Sequence, residues 1–460
     1  MKLWPTSAIL LLVTIYLART GMGYVLSLSG PTLLYLTELV HTEIQSFSLA
    51  FSLRFVGVII GGVMVGFVMH RTKEQINQLY LMAIFLFLKG LFNLITPWLT
   101  SIWIMSIAIM VIGITFGYLD AGLQAIILRI WGATTSRPLI YLYHFTIGIG
   151  GIFAPIIAEP FLLKAYGHRE NNPNCPGNST SNDSSTSAVG DQELNPVAWS
   201  YIIIGIYFFV ITILTLALAY FKTDEKAFQK FSASENVTVE KRKEEPIRDL
   251  IWVFAPLIGY YFCSVSNEIL FNSFIYPVAV CSELKFSIPD ATLVNSLYWI
   301  GLMVGRGSGI FAASYIRPAK IAIFCIAGTI IMMWILVLFG RTTPQVTWAV
   351  SIVHGFFVGP LYPSGVTWIS QVTNVSGKYM FIFILGGMTG CTTMLSLGGW
   401  LFKTSPFHVM YLACALSCAN ALCFAGAVFA AKRYKKKRRH EAEGEIFLNG
   451  KSPENGEVKA

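Results

Sequence analysis

Residues 117–132 read GYLDAGLQAIILRIWG and place one carboxylate, Asp120, inside an otherwise apolar helix. If this helix begins at Ile102 and ends at Arg129, four residues separate its midpoint from Asp120, which then lies about 6 Å from the centre of a bilayer. Burying a charged carboxylate at that depth costs on the order of 2.5 to 3.5 kcal/mol by insertion scales. The acid therefore needs a wet cavity, a cation or a bound proton. Gln124, one turn later, extends a polar strip along the same face.

The whole chain is apolar. Of its 460 residues, 55% are hydrophobic and 12% are charged, and its mean hydropathy is +0.62. These are too few polar residues to cover a water-facing globule. Apolar runs of about 20 residues recur along the chain, which predicts an all-α membrane protein with twelve transmembrane helices. The predicted helices are 6–28, 45–70, 78–97, 102–129, 137–163, 198–221, 250–280, 291–315, 320–340, 347–370, 378–402 and 407–431.

These helices divide into two halves. The charged segment 222–249 is expected to be a cytoplasmic linker between an N-terminal six-helix bundle, 1–221, and a C-terminal six-helix bundle, 250–431. A long polar outer loop, 164–198, interrupts the first half. We expect 432–460 to be a disordered cytoplasmic tail whose basic cluster contacts the anionic inner leaflet.

Glycines of the second and fourth predicted helices recur in the eighth and tenth at nearly constant offset. A duplicated transporter produces such a repeat, so the two halves are predicted to be pseudo-symmetric. In this register Tyr362 takes the place of Asp120 (362−120 = 242). The matching pairs are Gly57 with Gly301 and Gly61 with Gly305, 244 residues apart (301−57, 305−61), and Gly113 with Gly355 and Gly117 with Gly359, 242 apart (355−113, 359−117).

Cations are concentrated on one side of the predicted helices. With both termini cytoplasmic, inner segments hold 24 of the 33 Lys and Arg residues, outer loops hold 5 and helix interiors hold 4. This bias predicts a multi-pass protein with both termini inside, which we expect in the plasma membrane. The net charge of +9 then reflects orientation in the bilayer, because nucleic-acid binding would need a solvated basic domain. No required protein partner is evident.

The outer segments carry two kinds of modification signal. Asn178 and Asn182 begin glycosylation sequons, Asn-Ser-Thr and Asn-Asp-Ser, in the outer loop. Cys175 and Cys281 are the two cysteines expected outside. A disulfide between them and a pair of free thiols are both open alternatives.

Ionisable residues inside the predicted helices suggest how the protein works. Each acid could simply neutralise a cation and fix helix packing. We favour a transport role for Asp120 and Glu268, since a carboxylate in a cavity can hold Na⁺ or a proton and release it on the other side. Arg306 would be their counter-ion or contact the solute. The ionisable residues within helices are Arg19, Arg54, Lys89, Asp120, Glu268 and Arg306.

Aromatic and amide side chains in the same helices suit a small polar solute. Trp299 and Trp368 could stack on the apolar face of a sugar ring, while Gln124, Asn267 and Asn272 hydrogen-bond its hydroxyls. Ordinary packing is the alternative for either tryptophan.

Signals for enzyme chemistry are missing from the sequence. His144 and His354 have no second ligand at metal spacing and are interpreted as ordinary helix histidines. No phosphate loop, nucleophile elbow or zinc helix occurs, so we expect neither an ATP-driven pump nor an enzyme. No cofactor is predicted beyond a co-transported Na⁺ or H⁺.

The number of helices, the charged central loop and a basic turn after a glycine-bearing second helix resemble the major facilitator superfamily. In that superfamily the turn usually has an Asp where residues 66–73, GFVMHRTK, have His70. More specific stretches resemble the branch formed by sodium-dependent glucose transporter 1 and the domain-containing protein 4 family, which is similar to bacterial fucose permeases. These stretches are Gly30-Pro31-Thr32, Leu119-Asp120, Ile130-Trp131-Gly132, His144-Phe145, Ala154-Pro155, Ala158-Glu159-Pro160, Glu268, Phe274-Ile275-Tyr276, Gly305-Arg306, Pro363-Ser364-Gly365 and Gly377-Lys378.

This resemblance implies symport of a hexose with Na⁺ or H⁺ across the membrane, with the acids matching Asp120 and Glu268 near the site. Two alternatives remain. One is a non-transporting membrane receptor or adaptor on the same fold, which His70 and the basic tail favour. The other is a facilitator of a different small solute.

Overall fold

The computed structural model describes residues 6–71, 78–167, 175, 195–221, 247–373 and 377–448. Every regular element in this part of the chain is helical. The N-terminal half contains α1 (Thr6–Leu28), α2 (Leu33–Leu39), α3 (Ile44–Arg71), α4 (Gln78–Ile95), a short 3-10 helix (Thr96–Trp98), α5 (Ile102–Tyr166) and α6 (Ala198–Tyr220). The C-terminal half contains α7 (Ile247–Cys281), α8 (Ile288–Tyr315), α9 (Pro318–Phe339), α10 (Pro344–Val358), α11 (Leu361–Ser370), α12 (Gly377–Thr404) and α13 (His408–Leu448).

α5 contains two membrane-spanning arms. The Tyr143 hydroxyl donates a hydrogen bond to Asp120 Oδ1 over 3.2 Å. In a straight helix the 23 residues between them would span about 35 Å. The helix therefore folds back, and the arms Ile102–Trp131 and Pro138–Tyr166 are antiparallel. The sequence predicted two separate helices here, and the structure keeps helical backbone through the bend that joins them.

Eleven segments of the described residues are long and apolar enough to cross a membrane, counting each arm of α5. The remaining long helix, α8, has 28 residues but is less hydropathic because it carries polar residues such as Asn295 and Arg306. With α8, the twelve predicted spans are all present. α10 and α11 together form one span, which is interrupted at Gly359 and Pro360.

The repeated glycines hold corresponding helix pairs together in the two halves. A Cβ on Gly57 would lie 2.2 Å from the carbonyl oxygen of Met110, and a Cβ on Gly301 would lie 1.9 Å from that of Ile352. Their partners are 242 residues apart (352−110), as the repeat requires. The other three pairs also follow the repeat. The partners of Gly61 and Gly305, Ile114 and Phe356, are 242 residues apart (356−114), whereas those of Gly113 and Gly355, Arg54 and Tyr298, and those of Gly117 and Gly359, Val58 and Leu302, are 244 apart (298−54, 302−58).

The repeat in the sequence is therefore a repeat of backbone contacts. In each half, two helices approach so closely that no side chain fits between them, which is a common way to associate helices in lipid. α3 against the first arm of α5 corresponds to α8 against α10 and Gly359, which follows α10. The fold is two pseudo-symmetric six-helix bundles, as predicted. The N-terminal bundle comprises α1 to α6 and the C-terminal bundle comprises α7 to α13.

The helix ends that include Leu28, Tyr166 and Cys281 form one end of the molecule, here called the disulfide end. A disulfide joins Cys175, in the loop after α5, to Cys281 at the end of α7, so the two outer cysteines are bridged. The opposite end, here called the termini end, contains the first residues of α1 and the last turns of α13.

An exposed ion pair also lies at the disulfide end. Arg341, after α9, donates hydrogen bonds to the Glu283 carboxylate. These bonds lower the pKa of Glu283 below its ordinary value of 4.5. Both side chains are half exposed, so solvent screens the pair and its contribution to stability is small.

The C-terminal end differs from its prediction. We expected disorder from Lys432, but α13 continues through the basic cluster to Leu448. Lys, Arg, Ala and Glu are good helix formers, so this polar segment can extend an anchored helix. Lys435 also donates to the carbonyl oxygen of Gln371, at 3.3 Å. Residues 449–460 and most of the predicted linker, 222–246, lie outside the described residues.

Candidate functional site

Asp120 lies at the centre of a hydrogen-bonded cluster in the N-terminal bundle. Its Oδ1 accepts from Arg19 Nη1 at 2.6 Å, from Gln124 Nε2 at 3.1 Å and from the Tyr143 hydroxyl at 3.2 Å. In the described part of the chain no side chain donates to its Oδ2. The Asp120 side chain is 31% exposed, whereas that of Arg19 is 6% exposed. The carboxylate is thus held through one oxygen while the other remains accessible.

Arg19 is fixed by aromatic rings as well as by the acid. Its guanidinium carbon lies 4.7 Å from the centre of the Tyr143 ring and 5.5 Å from that of Phe116. Cation–π contacts of this kind contribute about 0.5 to 2 kcal/mol, more when desolvated. The arginine is therefore held by two ring contacts in addition to its hydrogen bond to Asp120.

Glu268 forms a second acid–arginine pair in the C-terminal bundle. Arg306 Nη2 donates to Glu268 Oε1 at 2.8 Å, and the two side chains are 16% and 14% exposed. The Tyr298 hydroxyl donates to the backbone oxygen of Glu268 at 3.2 Å. Arg306 is therefore the counter-ion of Glu268 in this structure. Each bundle contributes one such pair, although from different helices: α1 and α5 in one bundle, α7 and α8 in the other.

The two pairs border the same interface between the bundles. His144, on the second arm of α5, lies within electrostatic range of Arg19, Asp120 and Arg306. Tyr362, on α11 of the other bundle, lies within electrostatic range of Asp120. Sequence reasoning assigned His144 no role. The repeat did point to Tyr362, since it occupies the position of Asp120 in the second half.

Asn272 and Trp299 come together where the bundles touch. Trp299 Nε1 donates to Asn272 Oδ1 at 2.6 Å, and Asn272 Nδ2 donates to the carbonyl oxygen of Leu26 in the other bundle at 3.3 Å. The Trp299 indole lies flat on Gly151, where a Cβ would be 2.2 Å away. Both side chains are almost fully buried. They close the interface in this conformation.

Further contacts close the disulfide end. Ser296 donates to the carbonyl oxygen of Ile152 at 3.0 Å, and Lys403 pairs with Glu43 at 2.7 Å. Together with the hydrogen bond from Asn272 to Leu26, these contacts lie on the disulfide side of the two acid–arginine pairs. The covalent link at Cys281 lies there too. The conformation is therefore closed at the disulfide end.

A small cavity lies beside Arg306 towards the termini end. Tyr141 of the N-terminal bundle lines it together with Arg306, Pro360, Pro363 and Ser364 of the C-terminal bundle, among others. About 20 Å³ is open to water-sized molecules, which is room for a water and far less than a sugar requires.

Two residues predicted to contact the solute, Asn267 and Trp368, lie away from the acid–arginine pairs. Asn267 donates to Ser417 Oγ at 2.7 Å and pairs with His354 Nε2 at 3.2 Å, so its amide is engaged inside the C-terminal bundle. Trp368 is 6% exposed and packs against Phe424, with ring centres 5.4 Å apart. The structure brings neither to the acid–arginine pairs. The predicted glycosylation sites Asn178 and Asn182 lie outside the described residues.

This architecture, with polar groups of two helical bundles facing one another at mid-depth, defines an integral membrane protein of the carrier type. The family model described as Major Facilitator Superfamily matches residues 15–317 and 257–455. The chain belongs to that superfamily.

Similar proteins agree with the resemblance found in the sequence. The human protein "Sodium-dependent glucose transporter 1" is 26% identical over 409 residues, which cover 88% of this chain and 76% of that protein. The mouse "Major facilitator superfamily domain-containing protein 4A" is 20% identical over 453 residues, with 86% of each chain covered. The solved structure "Crystal structure of D-xylose-proton symporter" superposes with a TM-score of 0.66 at 15% identity, covering 92% of this chain and 97% of that one.

Proposed function

We propose that this protein is a secondary transporter that moves a hexose such as glucose together with Na⁺ or H⁺ by alternating access. The observation that carries the proposal is the pair of acid–arginine clusters at Asp120 and Glu268, which face the same interface from opposite bundles. Asp120 is paired with Arg19 through one oxygen, and its second carboxylate oxygen is accessible and accepts no hydrogen bond from a described side chain, so it is available to bind a cation or a proton. The relatives named for sodium-dependent glucose transport and proton-coupled xylose transport support this choice.

Asp120 is the proposed coupling residue, and Glu268 is the second. Na⁺ or a proton would bind at the exposed carboxylate oxygen of Asp120 and weaken its bond to Arg19. The aromatic rings around Arg19 would hold the arginine meanwhile. Glu268 is less exposed and is neutralised by Arg306, so it serves this role less directly.

Gln124 and Arg306 are the proposed solute contacts, since both lie beside a coupling acid at the interface. Asn272 and Trp299 would reach the solute when the disulfide end opens and their contacts to Leu26 and Gly151 separate. We leave Asn267 and Trp368 out of the proposed site, because their side chains are engaged inside the C-terminal bundle.

We place the disulfide end outside the cell and both termini in the cytoplasm of a plasma-membrane protein. Disulfides persist in oxidising compartments, and the cation bias of the sequence points the same way. The described conformation would then be closed to the outside. In the cycle we propose, the bundles rock about the acid–arginine pairs and expose them to one side at a time.

Uptake of labelled glucose into cells that express the protein tests this proposal. Uptake is expected to exceed that of control cells and to fall when Na⁺ is replaced by choline, or when the proton gradient is abolished if H⁺ is the coupled ion. Asp120→Asn should abolish the cation dependence, whereas Glu283→Gln, at an exposed surface acid, should not. No uptake under any condition, with the protein at the cell surface, would favour the receptor or adaptor. Cation-dependent uptake that survives Asp120→Asn would keep the transporter and reject the coupling residue.

A further inference from the structure

The interior of the N-terminal bundle contains three cations, Arg19, Arg54 and Lys89. Arg19 alone of the three forms a salt bridge with a described residue, Asp120. Lys89 is fully buried; its ammonium donates to the carbonyl oxygen of Ile112 at 3.3 Å and lies above aromatic rings. Lys89 also lies within electrostatic range of both arginines. The positive charges of Arg54 and Lys89 are therefore not balanced by a described acid within this low-dielectric region.

Of the three cations, Arg54 has the fewest hydrogen bonds and salt bridges to described residues. It is 7% exposed and lies 4.4 Å from the centre of the Phe51 ring. It forms no hydrogen bond or salt bridge with any described residue, and its Nε is buried without an acceptor. A buried charge without a partner is strongly destabilising. A ligand of opposite charge would remove that cost.

A cavity adjoins this guanidinium inside the bundle. It is lined by residues of α1 to α6, of the turn after α1 and of the 3-10 helix, and about 20 Å³ is open to water-sized molecules. Its polar lining comes from Arg54, Asn93, Thr96, Ser29 and Tyr201. The space suits one small ion or water and is too small for a sugar. It lies within one bundle, whereas the proposed solute site lies between the two.

The hydrogen-bond donors at the cavity favour an anion. The hydroxyls of Ser29 and Thr96 already donate to the backbone, at 2.6 and 2.7 Å. Asn93 Nδ2 donates to the carbonyl oxygen of Tyr201 at 3.1 Å, which uses one of its two N–H groups. The guanidinium of Arg54 and the second N–H of Asn93 remain as donors, and Asn93 Oδ1 remains as an acceptor. The guanidinium is the charged group among them, so the site favours an anion.

We propose that this cavity is a binding site for a small inorganic anion, with chloride as the probe, held by Arg54 and Asn93. The site belongs to one half of the repeat, because the position equivalent to Arg54 is Tyr298 (298−54 = 244) and that tyrosine bonds to the backbone of Glu268. A bound anion would neutralise the excess charge. It would also stabilise the contact between α3 and α5, where Gly113 meets the backbone of Arg54.

Thermal unfolding of the purified full-length protein tests the proposal. Midpoints are measured in sodium chloride and in sodium gluconate at equal ionic strength, with bromide and sulfate for comparison. Chloride and bromide should raise Tm saturably, by about 1 to 2 °C at ten times Kd, while gluconate and the larger sulfate should not. Arg54→Met should remove the response and Arg54→Lys should shift it to higher concentration. Arg341→Met, which removes an exposed cation, should leave it unchanged.

Three results would overturn the proposal. Equal Tm values in chloride and gluconate would mean that the cavity holds water. A response of Tm to chloride that persists in Arg54→Met, or an equal rise in Tm with sulfate, would also contradict it. If Arg54→Met does not fold, Asn93→Leu takes its place and should weaken the response several-fold, and an unchanged response would refute the assignment. The readout is stability and not uptake, so this inference and the proposed transport function can fail independently.

Discussion

Breaking the Glu268–Arg306 pair should show that it is a buried and coupled unit. Arg306→Met leaves the carboxylate of Glu268 without its counter-ion in a site where both side chains are about five-sixths buried. Removing one partner of a buried pair costs about 3 to 5 kcal/mol. If the whole chain unfolds cooperatively, an unfolding entropy of about 2.1 cal/mol/K per residue over 460 residues converts this cost into a drop in Tm of about 3 to 5 °C.

A double-mutant cycle measured by thermal unfolding isolates the pair. Glu268→Gln combined with Arg306→Met removes both charges, so the double variant should recover most of the stability that Arg306→Met loses. The same cycle on Asp120 and Arg19 should give a smaller coupling, because the Asp120 side chain is 31% exposed and water can solvate it. Strictly additive losses at Glu268 and Arg306, or a larger coupling at the more exposed pair, would refute this reasoning.

Three further predictions follow from packing and from the disulfide end. Gly61→Ala should destabilise the protein severely, because its Cβ would lie 2.0 Å from a backbone oxygen. Gly62→Ala, whose Cβ would have nothing within 4 Å, should be neutral or stabilising by up to about 1 kcal/mol. Expression level and Tm of the two variants test this difference. Reduction of the disulfide between Cys175 and Cys281, which closes a loop of sequence separation 106, should lower Tm, with up to about 4 to 5 kcal/mol at stake in the chain-entropy model. The pKa of Glu283 is lowered in the folded protein. The small stabilisation by its ion pair with Arg341 is therefore fully present above pH 4.5 and is lost as the pH falls through the folded pKa. The Tm difference between wild type and Glu283→Gln should vanish at pH values below the folded pKa.

Each of these predictions has a result that contradicts it. Equal tolerance of alanine at Gly61 and Gly62 would mean that the close helix approach is wrong. A reducing agent that lowers the Tm of Cys281→Ser as much as that of the wild type would show that the effect does not come from this bridge. A Tm difference for Glu283→Gln that stays the same however far the pH is lowered would exclude the assigned ion pair.

The fold could be predicted because membrane helices are specified locally. A run of about 20 apolar residues is enough to identify a span, and the glycine repeat relates helices whose contacts were not visible in the sequence. The glycine repeat predicted the closely packed helix pairs correctly, because a glycine at a close helix crossing cannot be replaced without separating the helices. The end of α13 could not be predicted from polarity alone, since a polar segment rich in helix formers can extend a helix that is already anchored.

The site was only partly predictable, because a sequence does not fix which way each helix faces. Asp120 and Glu268 were identified from the cost of burying charge, but pairing Asp120 with Arg19 required the fold, since 101 residues separate them. Asn267 and Trp368 illustrate the opposite case. Amides and tryptophans serve equally well in a bundle interior and in a binding site, so residue type gave no means of telling these alternatives apart.

The most direct test of the transport proposal compares gradient-driven uptake with exchange in proteoliposomes. The wild-type protein should accumulate labelled glucose when an inward cation gradient or a negative interior potential is imposed. A potential of 100 mV supplies about 2.3 kcal/mol per coupled charge, which allows accumulation of up to roughly 50-fold. Asp120→Asn should still exchange labelled for unlabelled glucose but should not accumulate it. Accumulation that is unchanged in Asp120→Asn, or wild-type protein that neither accumulates nor exchanges the sugar, would contradict the account.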